Sequence, residues 1–286
     1  MFERENHFPM GKERRDLIAE GTREISRIKT EGTDKKGDLV AYKWTDSGLD
    51  RPGLDSHSYQ NQFGSLYESL GQLLPSNEKS LQQYIENALM DKKGKAIGIE
   101  LGGIGSTLFS EFTPGFFEKS IGITLTDHRQ KKWFDFDKIK KRDQSINHTV
   151  MIGDVLDRNT LRPIAEWLDG DKVDLIIERM AVGLNLIPAE PYLLADVIQS
   201  WYRLLSDGGL MLIQVPVALN PILDAWGRML QKKCRDTLEV QYNLGDRDET
   251  LFHASAIRIL KLHNAPLELP LLDSKTVFHT RKHPIR

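Results

Sequence analysis

The stretch AIGIELGGIGS, residues 96–106, decides the fold class of this chain. Its first six residues are almost continuously apolar, which predicts a short β-strand buried on both faces. Three glycines in four residues follow, and residues 106–109 then begin a helical pattern. A strand, a glycine turn and a helix in this order are typical of the first unit of a parallel sheet, whose ligands bind beyond the carboxyl ends of the strands.

Further short apolar runs alternate with helical patterns after this stretch, as expected for strands joined by crossover helices. The runs are Ser120–Leu125, Thr149–Ile152, Val173–Ile177 and Leu210–Val215. The segments Leu238–Leu244 and Ala256–Leu260 then alternate more strongly, with no room between them for a crossover helix, and predict an antiparallel pair at the sheet edge. We therefore expect an α/β fold with a mostly parallel sheet and helices on both faces.

Capping residues predict where some of the helices begin and end. Ser76 follows Pro75 and can cap a helix that continues to Gly94, and Asn220 followed by proline can cap another. Gly208 and Gly209 are expected to stop the preceding helix, which runs over residues 192–205. A further helix with a solvated face is predicted over residues 12–29.

Composition excludes several classes of protein. The chain has 286 residues, 40% of them hydrophobic and 28% charged, and its formal charge is −2, so it is neither collagen-like nor wholly disordered. A near-neutral charge gives no overall attraction to nucleic acid or to anionic lipid. The single cysteine, Cys234, allows no intramolecular disulfide, and no run of about 18 apolar residues is present. A cytoplasmic protein without a signal peptide or a membrane span is the expectation.

Polar residues follow the predicted strands at the positions where a ligand would lie. Glu100 precedes the glycines at 102–105, Asp127 and Asp154 follow the next two strands, and Glu178-Arg179 ends the fourth. The glycines match neither the dinucleotide pattern nor a phosphate loop. Asp127 could instead cap a helix, Asp154 could cap a helix or contact a ligand, and Glu178-Arg179 could form a local ion pair. The histidines, His148 among them, lack metal-ligand spacing and are interpreted as surface or packed residues.

The segment from about Lys95 to Leu262 resembles the class I S-adenosylmethionine-dependent methyltransferases. Residues 97–105 look like the family's first motif, and residues 152–155 look like its third. Residues 122–127, 173–177 and 204–210 look like its second, fourth and fifth strands with their flanks. The resemblance implies a Rossmann-like, seven-stranded, mostly parallel sheet with an antiparallel last strand and helices on both faces.

The resemblance also implies roles for individual residues. The cofactor would be S-adenosyl-L-methionine, with Glu178 beside the transferring methyl group as the catalytic candidate. Two positions depart from the family's pattern. Ile104 and Ser106 stand where glycines are usual, and Thr124 stands where an acid usually binds the ribose, so that Asp127 is the alternative. The implied cofactor-binding residues are Glu100, Gly102, Gly103, Ile104, Gly105, Thr124, Asp127, Asp154, Val155 and Arg179.

The predicted organisation is an N-terminal extension over residues 1–75, acting as a lid or a brace, a methyltransferase domain over 76–262 and a tail over 263–286. A small-molecule acceptor is favoured over nucleic acid, since no Asn-Pro-Pro-Tyr-like motif follows the fourth strand and Cys234 sits at a helix end. Two alternatives stay open. One is a non-catalytic binding module that has lost the cofactor, and the other is a nicotinamide-dependent α/β enzyme.

Overall fold

The computed structural model describes residues 73–74, 80–124, 136–156, 158–178, 184, 191–245 and 255–272. The helix predicted over residues 12–29, the residues Asp127 and Arg179, and nearly all of the predicted extension lie outside these ranges. None of the described helices is both long enough and apolar enough to span a bilayer.

A seven-stranded sheet is the centre of the described chain. Its order is β3-β2-β1-β4-β5-β7-β6, and β7 runs antiparallel to both of its neighbours. The predicted fold class, including the antiparallel last strand, is confirmed. The strands are β1 (Ala96–Leu101), β2 (Phe117–Thr124), β3 (His148–Ile152), β4 (Val173–Glu178), β5 (Leu205–Val215), β6 (Leu238–Asn243) and β7 (Ser255–Lys261).

Helices cover both faces of the sheet. On one face, side chains of α1 and α2, among them Ile85 and Phe109, share a core cluster with side chains of β4 and β5. On the other face, α4, α5 and α6 bury Trp201 and Trp226. The described α-helices are α1 (Leu81–Ala88), α2 (Ser106–Ser110), α3 (Phe136–Ser145), α4 (Arg158–Leu168), α5 (Pro191–Tyr202) and α6 (Asn220–Lys233).

Two predicted helix caps are wrong. The α1 helix begins at Leu81, and its cap is Ser80, whose Oγ accepts a hydrogen bond from the Gln83 amide at 3.4 Å, so Ser76 does not cap it. Asn220 has helical backbone angles (φ −48°, ψ −46°) because the 3₁₀ turn Val217–Leu219 runs directly into α6. A cap residue needs non-helical angles. The Asn220 side chain instead donates to the Gly245 carbonyl at 2.9 Å.

The fifth strand also differs from its prediction. It begins at Leu205, and Gly208 and Gly209 lie within it rather than stopping a helix. Val173 pairs with Leu205 while Leu175 pairs with Leu210, so residues 206–209 bulge out of the ladder. Gly208 takes a left-handed conformation (φ +71°) in this bulge, which glycine adopts without steric cost.

Part of the segment that follows Leu262 packs against the sheet's helical layer. The side chains of Leu269, Leu271 and Leu272 are buried in the same core cluster as Trp226. The Trp226 indole donates to the Pro270 carbonyl at 2.7 Å. The described end of the predicted tail is therefore packed on this core as far as Leu272.

A polar network joins the strands at the edge opposite the glycine turn. The buried carboxylate of Asp174 accepts hydrogen bonds from the Ile97 amide at 2.9 Å and from Lys92 Nζ at 2.7 Å. Lys92 also donates to Ser206 Oγ at 2.7 Å. The starts of β1, β4 and β5 are thus tied to the short 3₁₀ turn that follows α1.

Candidate functional site

The loop of residues 102–105, called the glycine loop below, connects β1 to α2 at the carboxyl edge of the parallel strands. Gly102 (φ +82°) and Gly105 (φ +70°) have left-handed backbone conformations, which a residue with a Cβ adopts only at a cost. The Gly102 amide donates to the Ile123 carbonyl at 2.8 Å. The chain therefore leaves the sheet at Gly102 and reverses at Gly105 to enter α2.

The predicted acid and the glycine loop are brought together. Glu100 is fully buried, and a Cβ built on Gly103 would lie 2.5 Å from its Oε1 atom. Only glycine lets the loop backbone come this close to the carboxylate. The Ser106 hydroxyl, at the start of α2, is also fully buried and has no hydrogen-bond partner among the described residues.

The glycine loop rests on β2 at a residue that sequence reasoning missed. A Cβ built on Gly122 would lie 2.2 Å from the carbonyl oxygen of Ile104 and 2.7 Å from that of Gly103. The loop backbone therefore lies directly against the face of β2. A glycine inside an apolar strand is a sequence signal for such a close backbone approach.

His148 supports the same loop from β3, and it was not singled out as a site residue. Its Nε2 atom lies 2.6 Å from the Ile104 carbonyl oxygen, and its Nδ1 atom lies 2.8 Å from Ser120 Oγ. The ring is only 8% exposed and lies 5.5 Å from the Phe109 ring, centroid to centroid. Of the two interpretations left open for the histidines, surface or packed, His148 is packed, and its contact is with the predicted site.

The ends of β2 and β3 form the neighbouring part of the site. Thr124 is buried (7% exposed), and its carbonyl accepts a hydrogen bond from the Gly153 amide at 2.9 Å. The Asp154 Oδ1 atom accepts from the Leu156 amide at 2.9 Å, which closes the turn of its own loop rather than capping a helix. Val155 is buried, and its carbonyl accepts from the Trp201 indole at 3.2 Å. The loop after β3 is thus held by α5.

Glu178 ends β4 at the same edge but on the opposite face of the sheet from Glu100. In the parallel pairing, Glu178 is level with Leu101, whereas Glu100 is level with Ile177. Successive residues of a strand point to opposite faces, so the two carboxylates diverge. Both are fully buried.

Cys234 and Lys261, whose pKa values are shifted, lie outside this site. Burial raises the pKa of the Cys234 thiol, which follows α6 and is buried. A raised pKa depletes the thiolate that would attack a substrate, in agreement with its interpretation as a helix-end residue. Burial lowers the pKa of Lys261, which donates to the Leu205 carbonyl at 2.9 Å near the opposite edge of the sheet.

No protein family model matches the chain, and no curated protein matches it. Solved structures do. An rRNA methylase from Streptococcus thermophilus is 11% identical, with 66% of this chain and 100% of that chain covered at a TM-score of 0.42. An O-methyltransferase from Bacillus cereus in complex with SAH (S-adenosylhomocysteine) is 13% identical, with 75% and 97% covered at a TM-score of 0.39. The fold assignment itself follows from the strand order and from the inverted β7, which together form the Rossmann-like sheet implied by the resemblance to class I methyltransferases.

Proposed function

We propose that the chain binds S-adenosyl-L-methionine at the glycine loop and transfers its methyl group to an acceptor that is not yet identified. The observation that carries the proposal is the buried Glu100 carboxylate beneath Gly103, where the loop leaves a parallel strand. Ligands of open parallel sheets bind at this edge. The resemblance of residues 97–105 to the family's first motif agrees with it.

The chemistry of the loop favours this cofactor over a nucleotide with a phosphate chain. S-adenosylmethionine carries an ammonium and a sulfonium, and a carboxylate at the loop attracts both cations. The same carboxylate repels a diphosphate, and residues 102–106 include no lysine to offset it. The buried Ser106 hydroxyl, which has no hydrogen-bond partner among the described residues, is a further polar group that a ligand could satisfy. These residues fit the methionine part of the cofactor.

The ends of β2 and β3 are proposed to hold the nucleoside part. Asp154 would accept from the adenine amine, with Val155 beside the base. Thr124 offers a hydroxyl to the ribose where the family usually has a carboxylate, and Asp127 is the alternative. A hydroxyl forms a weaker hydrogen bond than a carboxylate does. We therefore expect weaker cofactor binding than an acid at residue 124 would give.

Glu178 is proposed as the group that contacts the acceptor, with Arg179 beside it. The bound cofactor supplies an electrophilic methyl group, so the chain's own residues need only orient the acceptor and, where it carries a proton, accept that proton. Glu178 lies on the other face of the sheet from Glu100. It can therefore contact the acceptor while Glu100 contacts the cofactor's ammonium group. A small-molecule acceptor remains the favoured class.

Calorimetric titration with S-adenosylhomocysteine tests cofactor binding, and NADH serves as the control ligand. We expect one site for the former and none for the latter. Glu100→Gln should weaken binding about tenfold or more, the loss expected for a hydrogen bond to a charged group. Glu118→Gln makes the same change at an exposed position of β2 and should leave binding unaltered. An unaltered dissociation constant in Glu100→Gln would contradict the proposal.

Methyl transfer is tested by following S-adenosylhomocysteine release with panels of small-molecule and RNA acceptors. Once an acceptor is found, Glu178→Gln separates two roles. A loss of turnover with unchanged S-adenosylhomocysteine affinity supports a role at the acceptor. An equal loss of both would assign Glu178 to cofactor binding instead and would contradict this part of the proposal.

A non-catalytic binding module is the second candidate, and Thr124 is the observation that favours it. Without a carboxylate at residue 124, a charged hydrogen-bond acceptor for the ribose hydroxyls depends on Asp127. The titration above separates the two candidates, because a protein that has lost the cofactor binds no S-adenosylhomocysteine. Binding of NADH alone would support a nicotinamide-dependent enzyme instead.

A further inference from the structure

We infer that His148 is a positioning residue of the cofactor site, which holds the Ile104–Gly105 peptide so that the Gly105 amide N–H is directed outward from the sheet. Its consequence for ligand binding rests on the proposed function. The holding contact itself is independent of any ligand.

The protonation pattern of His148 follows from its two neighbours. The Ile104 carbonyl oxygen can only accept a hydrogen bond, so the Nε2 atom, 2.6 Å away, is the donor. In the neutral ring Nδ1 is then an acceptor, and the Ser120 hydroxyl, 2.8 Å away, donates to it. Ser120 and His148 are paired residues on β2 and β3, so the ring is aligned by the sheet.

Close contacts with β2 and β3 fix the direction in which the Ile104 carbonyl points. A Cβ on Gly122 would lie 2.2 Å from this oxygen, which shows how closely it lies over β2. A Cβ on Gly105 would lie 2.7 Å from the His148 ring, so the ring closes the loop from the side of β3. The Ile104 side chain is itself buried. The peptide between Ile104 and Gly105 is therefore held by contacts with both β2 and β3.

Because the peptide bond is planar, the direction of the Ile104 carbonyl also fixes the direction of the Gly105 N–H. In a trans peptide the C=O and the following N–H point in opposite directions, and the described chain has no cis peptide. Because the Ile104 carbonyl points at β2 and His148, the Gly105 N–H points away from them. An outward backbone N–H in a glycine loop is a donor available to a ligand.

The test compares His148→Leu, which removes both hydrogen bonds at similar volume, with His148→Gln, whose amide can still donate to the Ile104 carbonyl. Ser120→Ala is the control that removes only the Nδ1 partner. We expect His148→Leu to weaken S-adenosylhomocysteine binding about tenfold, the equivalent of one hydrogen bond at the loop. His148→Gln should recover most of that loss, and Ser120→Ala should lose less than His148→Leu. Equal losses in the Leu and Gln variants would overturn the inference.

Hydrogen exchange of the ligand-free protein keeps this test separate from the proposed function. Amides of residues 102–106 should exchange faster in His148→Leu than in His148→Gln, whether or not any cofactor binds. Equal exchange in the two variants would overturn the inference. Failure of the wild type to bind S-adenosylhomocysteine would instead refute the proposed function alone.

Nitrogen-15 NMR of the histidine rings decides the matter should His148→Leu fail to fold. The wild-type His148 ring is expected as the Nε2–H tautomer, assigned by its disappearance in His148→Gln. In an Nδ1–H tautomer the ring would donate to Ser120 Oγ rather than to the Ile104 carbonyl, and this result would overturn the inference.

Discussion

Replacing Gly122 by alanine tests whether the glycine loop needs its close contact with β2. The added Cβ would lie 2.2 Å from the Ile104 oxygen and 2.3 Å from its carbonyl carbon, both of which are backbone atoms. Ordinary C···O contacts are about 3.3–3.6 Å, so the loop must retreat by about 1 Å. A displacement of about 1 Å in a positioning element can cost about 100-fold in catalytic rate. Overpacking of this kind also lowers stability by about 1–3 kcal/mol.

The assay is titration of Gly122→Ala with S-adenosylhomocysteine, together with urea unfolding. Gly98→Ala is the matched control, since Gly98 lies on the neighbouring β1 strand and its added Cβ would meet the Phe109 ring at 2.3 Å rather than the loop. A side chain can rotate away from such a contact more easily than a backbone can. We expect both variants to be less stable, but only Gly122→Ala to lose most of its affinity. Wild-type affinity in Gly122→Ala would refute the reasoning.

Three further predictions concern the stability of the fold. Lys92→Met should lower the free energy of unfolding by about 1.5–3 kcal/mol, because the buried Asp174 carboxylate loses its 2.7 Å partner; an unchanged urea midpoint would contradict this. Burial and the Asp224 carboxylate raise the pKa of Tyr242 to about 12 from 10.0. Folding therefore favours the protonated phenol, and the free energy of unfolding that is present below pH 10 should fall between pH 10 and 12. Urea unfolding at pH 9 and 11 measures this decrease, which should be smaller in Tyr242→Phe. Leu271→Ala should cost about 2–5 kcal/mol, since this side chain lies in the main core; a loss below 1 kcal/mol on the same scale would argue against that packing.

The sheet was predictable because its strands are short apolar runs, which are typical of a sheet covered by helices on both faces. Val173–Glu178 is buried at every position, as the apolar run Leu175–Ile177 at its centre predicts. The antiparallel pairing of β6 with β7 followed from the short connection between them. The errors fell at element ends. The bulge at residues 206–209 and the helical start at Asn220 depend on tertiary neighbours that a local pattern does not contain.

The candidate site was predictable only in part, for a related physical reason. Glu100 and the glycine loop are adjacent in sequence, so their pattern carries the information that brings them together. The contacts of Ile104 with Gly122 and His148 join residues that are 18 and 44 positions apart. Only Gly122 left a signal, as a glycine within a strand, and His148 left none. The roles of Asp127 and Arg179 stay predictions, since both residues lie outside the described ranges.

The insertion of β7 between β5 and β6 has a consequence for how the chain is synthesised. Chains emerge amino terminus first, so β5 and β6 leave the ribosome before the strand that pairs with both of them. Until residues 255–261 arrive, β5 presents a long apolar edge, Leu210–Val215, with no partner on that side. Such edges recruit strands from other molecules. Nascent chains halted before Ser255 are therefore expected to aggregate or to require a chaperone. In chains that include β7, this strand pairs with β5 and covers its edge.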